Sequence, residues 1–242
     1  MEKVIVFATD LHGEIYQYEK VFEVAAGKNV KALVIGGDIG PFLSVIGDIA
    51  GYQKDFISSY LIPRLKDFQK KTPKDVFLMM GNDDLKMNME ALEKGEKEGT
   101  FKIINQKVYP LGGKYIAGYS FVNEAPILIK DWEKSESLIE DDLERLSDKS
   151  DPRKTIYSMH APPIGTNLDI IFSGDHVGSR AVREFIEKKQ PYLTLHGHIH
   201  ESPRMSGSWK DIIGETISVN PGKGSILVFG LNDLNIMEVM TV

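Results

Sequence analysis

The sequence predicts a layered α/β fold, on two observations. Short, nearly continuous apolar segments alternate with helical patterns along much of the chain, which is the arrangement of a sheet covered by helices. A second group of shorter strands, joined by turn residues, indicates another sheet packed on the first. The length of 242 residues, with neither an internal repeat nor a flexible linker, favours a single domain over residues 1–242.

The elements follow from the apolar patterns. Strands with buried, β-branched character are predicted at 3–9, 31–36, 75–80, 155–159 and 192–195. Helices are predicted at 14–26, within 42–71 with an interruption at Pro63, at 84–96, at 132–147 and at 180–189. The second group of strands is predicted at 114–121, 216–220, 225–231 and 235–240. The best candidate for an insertion is 122–153, where one apolar helix face is predicted from Trp132, Leu138, Ile139, Leu143 and Leu146, with the acidic residues turned to water.

The composition excludes several classes of protein. There is no cysteine, so a metal site would use oxygen and imidazole ligands, and cysteine nucleophiles are ruled out. The net charge of −6 argues against binding of a nucleic-acid backbone. No apolar run approaches the roughly 18 residues of a membrane span. Because the N-terminus also lacks the features of a secretion signal, we expect a cytoplasmic protein without membrane contacts.

Polar residues directly follow each of the five strands in the first group. They are Asp10 and His12, Asp38, Asn82 with Asp83 and Asp84, His160, and His198 with His200. Ligands of open α/β sheets bind at the carboxyl ends of strands, so these side chains converge on one crevice if the five strands are parallel neighbours. Each cluster alone has an ordinary explanation, such as helix capping by Asp38 or a turn at Asn82. Five clusters in equivalent positions point to a shared site.

The residue types indicate what the crevice binds. Carboxylate, amide and imidazole groups suit Mn, Fe or Zn ions. Seven ligands are too many for one zinc ion, whereas two metals about 3.5–4 Å apart, sharing a carboxylate, need about this number. Asp38 is the natural bridging residue. We therefore expect two divalent metal ions held by Asp10, His12, Asp38, Asn82, His160, His198 and His200.

The sequence resembles the calcineurin-like metallophosphoesterase superfamily. The pattern of that family is D-x-H, G-D, G-N-[HC]-[DE], a histidine at a strand end and G-H-x-H, and all five blocks occur in this order between residues 10 and 200. The stretch 218–222 also looks like the strand and turn that often follow the last block. Within the family the chain looks most like small prokaryotic phosphoesterases. The fold that the resemblance implies is a four-layer α-β-β-α sandwich of two mixed β-sheets flanked by helices.

The resemblance also implies how the ligands divide. One metal is held by Asp10, His12, Asp38 and His200, and the other by Asp38, Asn82, His160 and His198. The implied reaction is hydrolysis of a phosphoester by direct attack of a hydroxide that bridges the metals, without a covalent intermediate. The expected substrate is a small phosphoester, with nucleotides included.

The chain departs from the common pattern at Asp83, where many members carry a histidine that assists the leaving group. An aspartate donates a proton only when it is protonated, and nearby cations favour the ionised form. Asp83 is therefore poorly suited to act as a general acid. The lack of a general acid slows hydrolysis least for esters with good leaving groups, so the sequence favours phosphodiesters or activated esters as substrates. Asp84 occupies the acidic position of the same block and is expected to orient its neighbours.

Further residues and other functions stay open at this level. His176, in a loop before a helix, is a minor candidate for the missing acid, whereas His196 is expected to be packed or hydrogen-bonded near the site. A metal-binding scaffold with little catalysis and a nuclease are the alternative functions. A homo-oligomer, formed by pairing of strands after residue 214, is also left open.

Overall fold

The computed structural model describes residues 2–42, 48–125 and 130–242. The strands in these ranges, in chain order, are β1 (Val4–Ala8), β2 (Val30–Gly36), β3 (Asp75–Met79), β4 (Lys102–Ile103), β5 (Val108–Leu111), β6 (Lys114–Tyr119), β7 (Val122–Asn123), β8 (Glu133–Lys134), β9 (Thr155–Met159), β10 (Leu193–Leu195), β11 (Lys210–Ile213), β12 (Thr216–Val219), β13 (Ser225–Gly230) and β14 (Met237–Thr241). The α-helices are α1 (Ile15–Ala25), α2 (Ile49–Asp55), α3 (Ile62–Lys71), α4 (Met89–Lys97), α5 (Glu136–Ser147), α6 (Arg180–Lys189) and α7 (Ser202–Ser206).

Twelve of these strands form two mixed sheets of six. The first has the order β14-β13-β1-β2-β3-β4 and the second the order β11-β12-β10-β9-β6-β5, while β7 and β8 pair separately. β1 to β4 run parallel to one another. On the other side of β1, β13 pairs antiparallel with β1, and β14 pairs antiparallel with β13 at the edge of the sheet. In the second sheet β12, β10, β9 and β6 run parallel, with antiparallel strands β11 and β5 at the two edges. Both sheets therefore align the carboxyl ends of their central strands.

The sheets pack face to face, and the helices cover their outer faces. Along β1, Ile5 and Phe7 belong to an inner core that also contains Ile156 and Leu195 of the second sheet. The alternate residue Val6 belongs to an outer core shared with helical side chains. Because side chains of a strand alternate between faces, this division produces the layers helix, sheet, sheet and helix. The predicted α/β sandwich of two mixed sheets flanked by helices is confirmed.

The five strands of the first predicted group are not neighbours in one sheet. β1, β2 and β3 lie in the first sheet, whereas β9 and β10 lie in the second. The second predicted group is divided likewise, since the strands at 114–121 and 216–220 join the second sheet and those at 225–231 and 235–240 join the first. Apolar patterning identifies a buried strand without specifying its partners, which is why the grouping was wrong.

Two helix predictions also need correction. The chain does not break at Pro63, because a π-helical segment, Phe56–Leu61, connects α2 to α3 and places the proline in the first turn of α3, where a missing N–H is tolerated. The 43–47 part of the predicted 42–71 stretch lies outside the described residues. The prediction at 84–96 becomes a 3₁₀ turn, Lys86–Asn88, followed by α4.

The amphipathic helix predicted at 132–147 begins at Glu136, and its faces differ from the prediction. Leu138 is 49% exposed, whereas Asp142 is buried. Tyr119 and Lys134 both donate to the Asp142 carboxylate, so polar partners compensate for its burial. Part of the proposed insertion 122–153, residues 126–129, lies outside the described residues. Among the helices of the described part, we find none with the length and apolar character that crossing a membrane requires.

Candidate metal centre

The predicted ligands meet where the carboxyl ends of both sheets come together. Asp10, Asp38 and Asn82 follow the adjacent parallel strands β1, β2 and β3 of the first sheet. His160 follows β9, and the loop containing His198 and His200 follows β10, its neighbour in the second sheet. The site therefore lies between two sheets rather than along the edge of one.

Hydrogen bonds across the sheets fix these loops to one another. The backbone N–H of His198 donates to both carboxylate oxygens of Asp10, at 3.1 and 3.2 Å. Nδ1 of His160 lies 3.0 Å from the carbonyl oxygen of Gly36, and as its donor it leaves Nε2 to face the centre of the site. Each sheet thus orients a ligand that the other carries.

Several of these residues adopt a strained backbone. Asp10, His12, Asp38 and His198 have φ values of 55°, 44°, 49° and 67°. Side chains other than glycine rarely occupy this left-handed region, and such strain concentrates at functional sites. The clustering of four such residues among the predicted ligands supports a functional role for these loops.

One group of four residues has the geometry of a metal site. Ligand atoms of Asp10, His12, Asp38 and His200 all lie within 4.8 Å of one another. Nε2 of His12 is 3.2 Å from Nε2 of His200, which in turn is 3.4 Å from Oδ1 of Asp10. A cation coordinated by both imidazole nitrogens and both carboxylates would offset the repulsion between these negatively charged and electron-rich groups. The donor set suits a divalent cation with imidazole and carboxylate ligands.

A second group adjoins the first through Asp38. Nε2 of His160 lies 3.4 Å from Oδ2 of Asp38 and 3.0 Å from Oδ1 of Asn82. The ring of His198 lies 5.6 Å from the ring of His160. The structure therefore brings all seven predicted metal ligands together, with Asp38 in contact with both groups.

Electrostatics inside the cluster are dominated by burial and by opposite charges. Burial alone would lower the pKa of His160, but the Asp38 and Asp10 carboxylates outweigh it and raise that pKa to about 10. Burial would raise the pKa of Asp38, yet His160 and His12 hold it well below its usual range. Burial lowers the pKa of His198 to about 3, with a further contribution from His160. A neutral His198 is ready to act as a ligand at any ordinary pH.

Asp84 has a supporting role and does not face the cluster centre. Its buried carboxylate accepts hydrogen bonds from the backbone N–H groups of Ile39 at 3.0 Å, Gly40 at 2.8 Å and Gly81 at 2.9 Å. Burial, and then the Asp38 charge, raise the pKa of Asp84 to about 7. The carboxylate thereby joins the loop after β2 to the loop after β3, as the sequence led us to expect of an orienting residue.

Two glycines of the family blocks are required by close backbone approach. A Cβ atom on Gly81 would lie 2.3 Å from Oδ1 of Asp38, and one on Gly197 would lie 2.5 Å from Oδ2 of Asp10. Such distances are far shorter than van der Waals contact, so any side chain here would displace a ligand. These glycines let the loops pack directly against the carboxylates of Asp38 and Asp10.

Two supporting amides were not assigned a role by the sequence. Buried Asn220 donates from Nδ2 to the carbonyl oxygens of Leu168, Gly197 and Ile199, at 3.0, 3.3 and 3.1 Å. Buried Gln53 of α2 donates to the Asp83 carbonyl oxygen at 2.7 Å. Asn220 lies in the strand and turn that the resemblance singled out, whereas nothing local in the sequence marks Gln53.

Asp83 lies beside the second group and has polar partners of its own. Its backbone N–H donates to Oδ1 of Asp38 at 2.8 Å, and its carboxylate accepts from Nδ2 of Asn82 at 3.0 Å. The ammonium of Lys130 also contacts this carboxylate. Sequence reasoning missed Lys130, since 47 positions separate it from Asp83 and no motif contains it.

The remaining candidate histidines have other partners. His176 pairs through Nδ1 with Asp169 at 2.7 Å, and its side chain is 41% exposed. None of its hydrogen bonds within the described ranges reaches a predicted metal ligand. His196 is buried against the carbonyl oxygens of Met159 and Ala161, both at 2.9 Å, and Thr194. The expectation that His196 is hydrogen-bonded and not a ligand agrees with this position.

Solved structures similar to this chain share its fold. One is 19% identical and covers 100% of this chain and 99% of its own, with a TM-score of 0.73. The protein TT1561 of Thermus thermophilus is 14% identical with the same coverage and a TM-score of 0.73. A dimetal phosphatase from Danio rerio is 9% identical over 99% of this chain and 98% of its own, with a TM-score of 0.56. No curated protein sequence matches the chain.

A family model gives the assignment that these distant structures alone do not. The model for calcineurin-like phosphoesterases matches residues 3–202, which contain all five motif blocks and every predicted ligand. The buried cluster of two aspartates and two histidines fits the divalent metals that this family typically binds. This chain belongs to the calcineurin-like phosphoesterase family.

Proposed function

We propose that this family member is a dinuclear metal-dependent phosphoesterase that favours phosphodiesters or activated phosphoesters. The observation that carries the proposal is the position of Asp38 between two groups of ligands. Its Oδ2 atom lies 3.8 Å from Nε2 of His12 and 3.4 Å from Nε2 of His160. A carboxylate oxygen that faces a histidine from each group is suited to bridging two cations.

The proposed division of the residues between the two positions is the one that the family resemblance implies. Asp10, His12 and His200 would hold the first ion with Asp38, and Asn82, His160 and His198 the second. When bound, Mn, Fe or Zn ions would supply an acidified water as the nucleophile and neutralise the phosphate oxygens. The similar Danio rerio structure is a dimetal phosphatase, which is compatible with this division.

The environment of Asp83 supports the preference for good leaving groups. Its Oδ1 atom accepts hydrogen bonds from both Asn82 and Lys130, so Asp83 acts as an acceptor in these contacts. Proton transfer from Asp83 to a leaving oxygen is therefore disfavoured. Esters whose leaving groups depart without a proton, such as aryl diesters and nucleotide phosphoesters, suit such a site better than alkyl monoesters.

The test compares substrates on protein loaded with Mn²⁺. We expect turnover of bis(p-nitrophenyl) phosphate and of a cyclic nucleotide to exceed that of a simple alkyl phosphomonoester. Asp38→Asn should reduce turnover to background, because it removes a charge from both ion positions. Full metal loading without turnover of any of these esters would favour a metal-binding scaffold, and a strong preference for RNA or DNA would favour a nuclease.

A further inference from the structure

Lys130 places a positive charge at the outer edge of the metal centre. Its side chain is 32% exposed and contacts the Asp83 carboxylate, which is 12% exposed, whereas Asp10 and Asp38 below them are buried. Nζ of Lys130 also lies 5.9 Å from the ring centroid of Phe42. That ring is 6.1 Å from the ring of the predicted ligand His12. The ammonium therefore contacts the residue next to Asn82 of the second group, and the Phe42 ring lies between it and His12 of the first.

The Lys130 ammonium has N–H donors available for a substrate. An ammonium carries three donors, and Asp83 is the hydrogen-bond acceptor of Lys130 among the described residues. Two neighbouring lysines have their charged groups paired with residues outside the site. Lys134 pairs with buried Asp142, and Nζ of Lys86 lies 4.7 Å from the ring centroids of both Phe121 and Trp132. Only Lys130 of these three contacts a residue adjacent to a predicted metal ligand.

We propose that Lys130 is a catalytic residue that donates a hydrogen bond to the leaving-group oxygen of the substrate, with Asp83 as the positioning residue that directs it. This inference rests on the proposed phosphoester hydrolysis. The oxygen of water forms a new bond to phosphorus and gives up a proton to solvent, while the bond from phosphorus to the leaving oxygen breaks. The leaving oxygen keeps the electron pair and takes its proton from solvent, and Lys130 retains its own proton throughout.

The physical reason is the charge that develops on the leaving oxygen. A fixed donor aimed at a developing oxyanion contributes most when the leaving group is a poor one, because more charge then accumulates in the transition state. Asp83 accepts hydrogen bonds from Asn82 and Lys130 and does not present such a donor in this arrangement. Lys130 brings the donor from a different part of the chain, at the edge where the family usually has a histidine after the asparagine.

The experiment uses Mn²⁺-loaded full-length protein and two aryl methyl phosphates, one with p-nitrophenol and one with phenol as leaving group. We expect Lys130→Met to lower kcat/KM for the phenyl ester about 100-fold and for the nitrophenyl ester about tenfold or less. Lys130→Arg should retain most activity on both. The matched control is Lys188→Met, which removes a lysine paired with Glu140 on the exposed surface and should change neither value.

A second measurement does not depend on turnover. In inorganic phosphate one oxygen occupies the leaving-group position, so Lys130→Met should weaken phosphate binding by about tenfold in calorimetric titrations while metal content stays unchanged. If Lys130→Met fails to fold, Asp83→Asn takes its place. That variant weakens the lysine's anchor and should show the same selective loss on the phenyl ester.

The outcomes separate the two proposals. Equal losses on both esters, or none, together with unchanged phosphate binding, would overturn the role of Lys130 and leave the phosphoesterase intact. If the unsubstituted protein binds its metals yet hydrolyses neither ester, or if Asp38→Asn is as active as the unsubstituted protein, both proposals fail.

Discussion

Nε2 of His12 and Nε2 of His200 lie 3.2 Å apart, although the two residues are 188 positions apart in the chain. Each nitrogen also faces a carboxylate, Asp38 at 3.8 Å for His12 and Asp10 at 3.4 Å for His200. A proton on one of these rings would bridge only a pair of the four groups, and the two buried carboxylates repel each other unless a positive charge lies between them. A divalent cation satisfies all four groups at once.

The first prediction concerns this pair. His200→Ala should reduce Mn²⁺ affinity at the first position by more than about 100-fold, since loss of a direct ligand costs at least as much as loss of a residue that merely supports one. Metal content after dialysis should fall from two ions per chain to one. The control is His176→Ala, whose histidine pairs with Asp169 outside the cluster. Unchanged metal content in His200→Ala would contradict the assignment.

The second prediction concerns protons released when metal binds. The Asp38 and Asp10 carboxylates outweigh the effect of burial and raise the pKa of His160 to about 10, so its ring is charged at pH 7.5 in the metal-free protein. A metal needs the neutral ring, and binding must therefore release at least one proton. Mn²⁺ titrations in two buffers of different ionisation enthalpy should differ in their heats accordingly.

The sign of the pH dependence follows from the same shift. Because the pKa of His160 is higher in the fold than in the unfolded chain, its protonation stabilises the metal-free fold fully below about pH 6.5. That stabilisation is lost as the pH rises towards 10. Metal affinity should change in the opposite direction and rise with pH over this range. His160→Gln should remove most of the buffer dependence, and heats that do not depend on the buffer in the unsubstituted protein would contradict the prediction.

The clustering of the predicted ligands could be anticipated from the sequence because each one lies within a few residues after an apolar strand. A site at strand ends requires this spacing, and Asp10 after β1 and Asp38 after β2 show it without ambiguity. The pairing of strands was not predictable in the same way. Nothing in the apolar runs states that β9 and β10 belong to a different sheet from β1, because sheet partners are decided by packing of the whole chain.

The residues that support the ligands were harder to predict. The contact of Lys130 with Asp83 and the contacts of Gln53 with the Asp83 carbonyl and the Leu85 N–H join distant parts of the chain through side-chain hydrogen bonds. Such contacts have no sequence period, and a lysine or glutamine in a helix or loop is ordinarily a solvated residue. An orienting role for Asp84 could be predicted because the residue belongs to a motif block. The three backbone N–H groups that donate to it could be identified only from the fold.

The third prediction tests Asp84. Asp84→Ala leaves the buried N–H groups of Ile39, Gly40 and Gly81 without their acceptor, at a cost of about 1–3 kcal/mol for each group that water does not reach. We expect a loss of several kcal/mol in the free energy of unfolding, measured by urea denaturation of the metal-free protein, together with weaker metal binding. Asp84→Asn keeps one acceptor oxygen and should lose less. Asp141→Ala, at an exposed position of α5, serves as the control. Equal stability of Asp84→Ala and the control would rule out the supporting role.

The fourth prediction concerns Asn220, whose side-chain amide holds the loop that contains His198 and His200. Its two N–H donors are shared among three carbonyl oxygens, those of Leu168, Gly197 and Ile199. Asn220→Ala removes these bonds, whereas Asn220→Asp replaces the donors with a charged oxygen facing three acceptors in a buried place. We therefore expect Asn220→Asp to be less stable than Asn220→Ala, although it is closer in shape to asparagine.

This order distinguishes a specific donor from simple packing. If Asn220 only fills space, the isosteric aspartate should be tolerated better than alanine, and the order of unfolding free energies would be reversed. If the amide holds the loop, both variants should also bind Mn²⁺ more weakly, because movement of Gly197 shifts the backbone that donates from His198 to Asp10. Denaturant unfolding and metal titration of the two variants, with Asn232→Ala on the exposed turn after β13 as a control, decide between these outcomes.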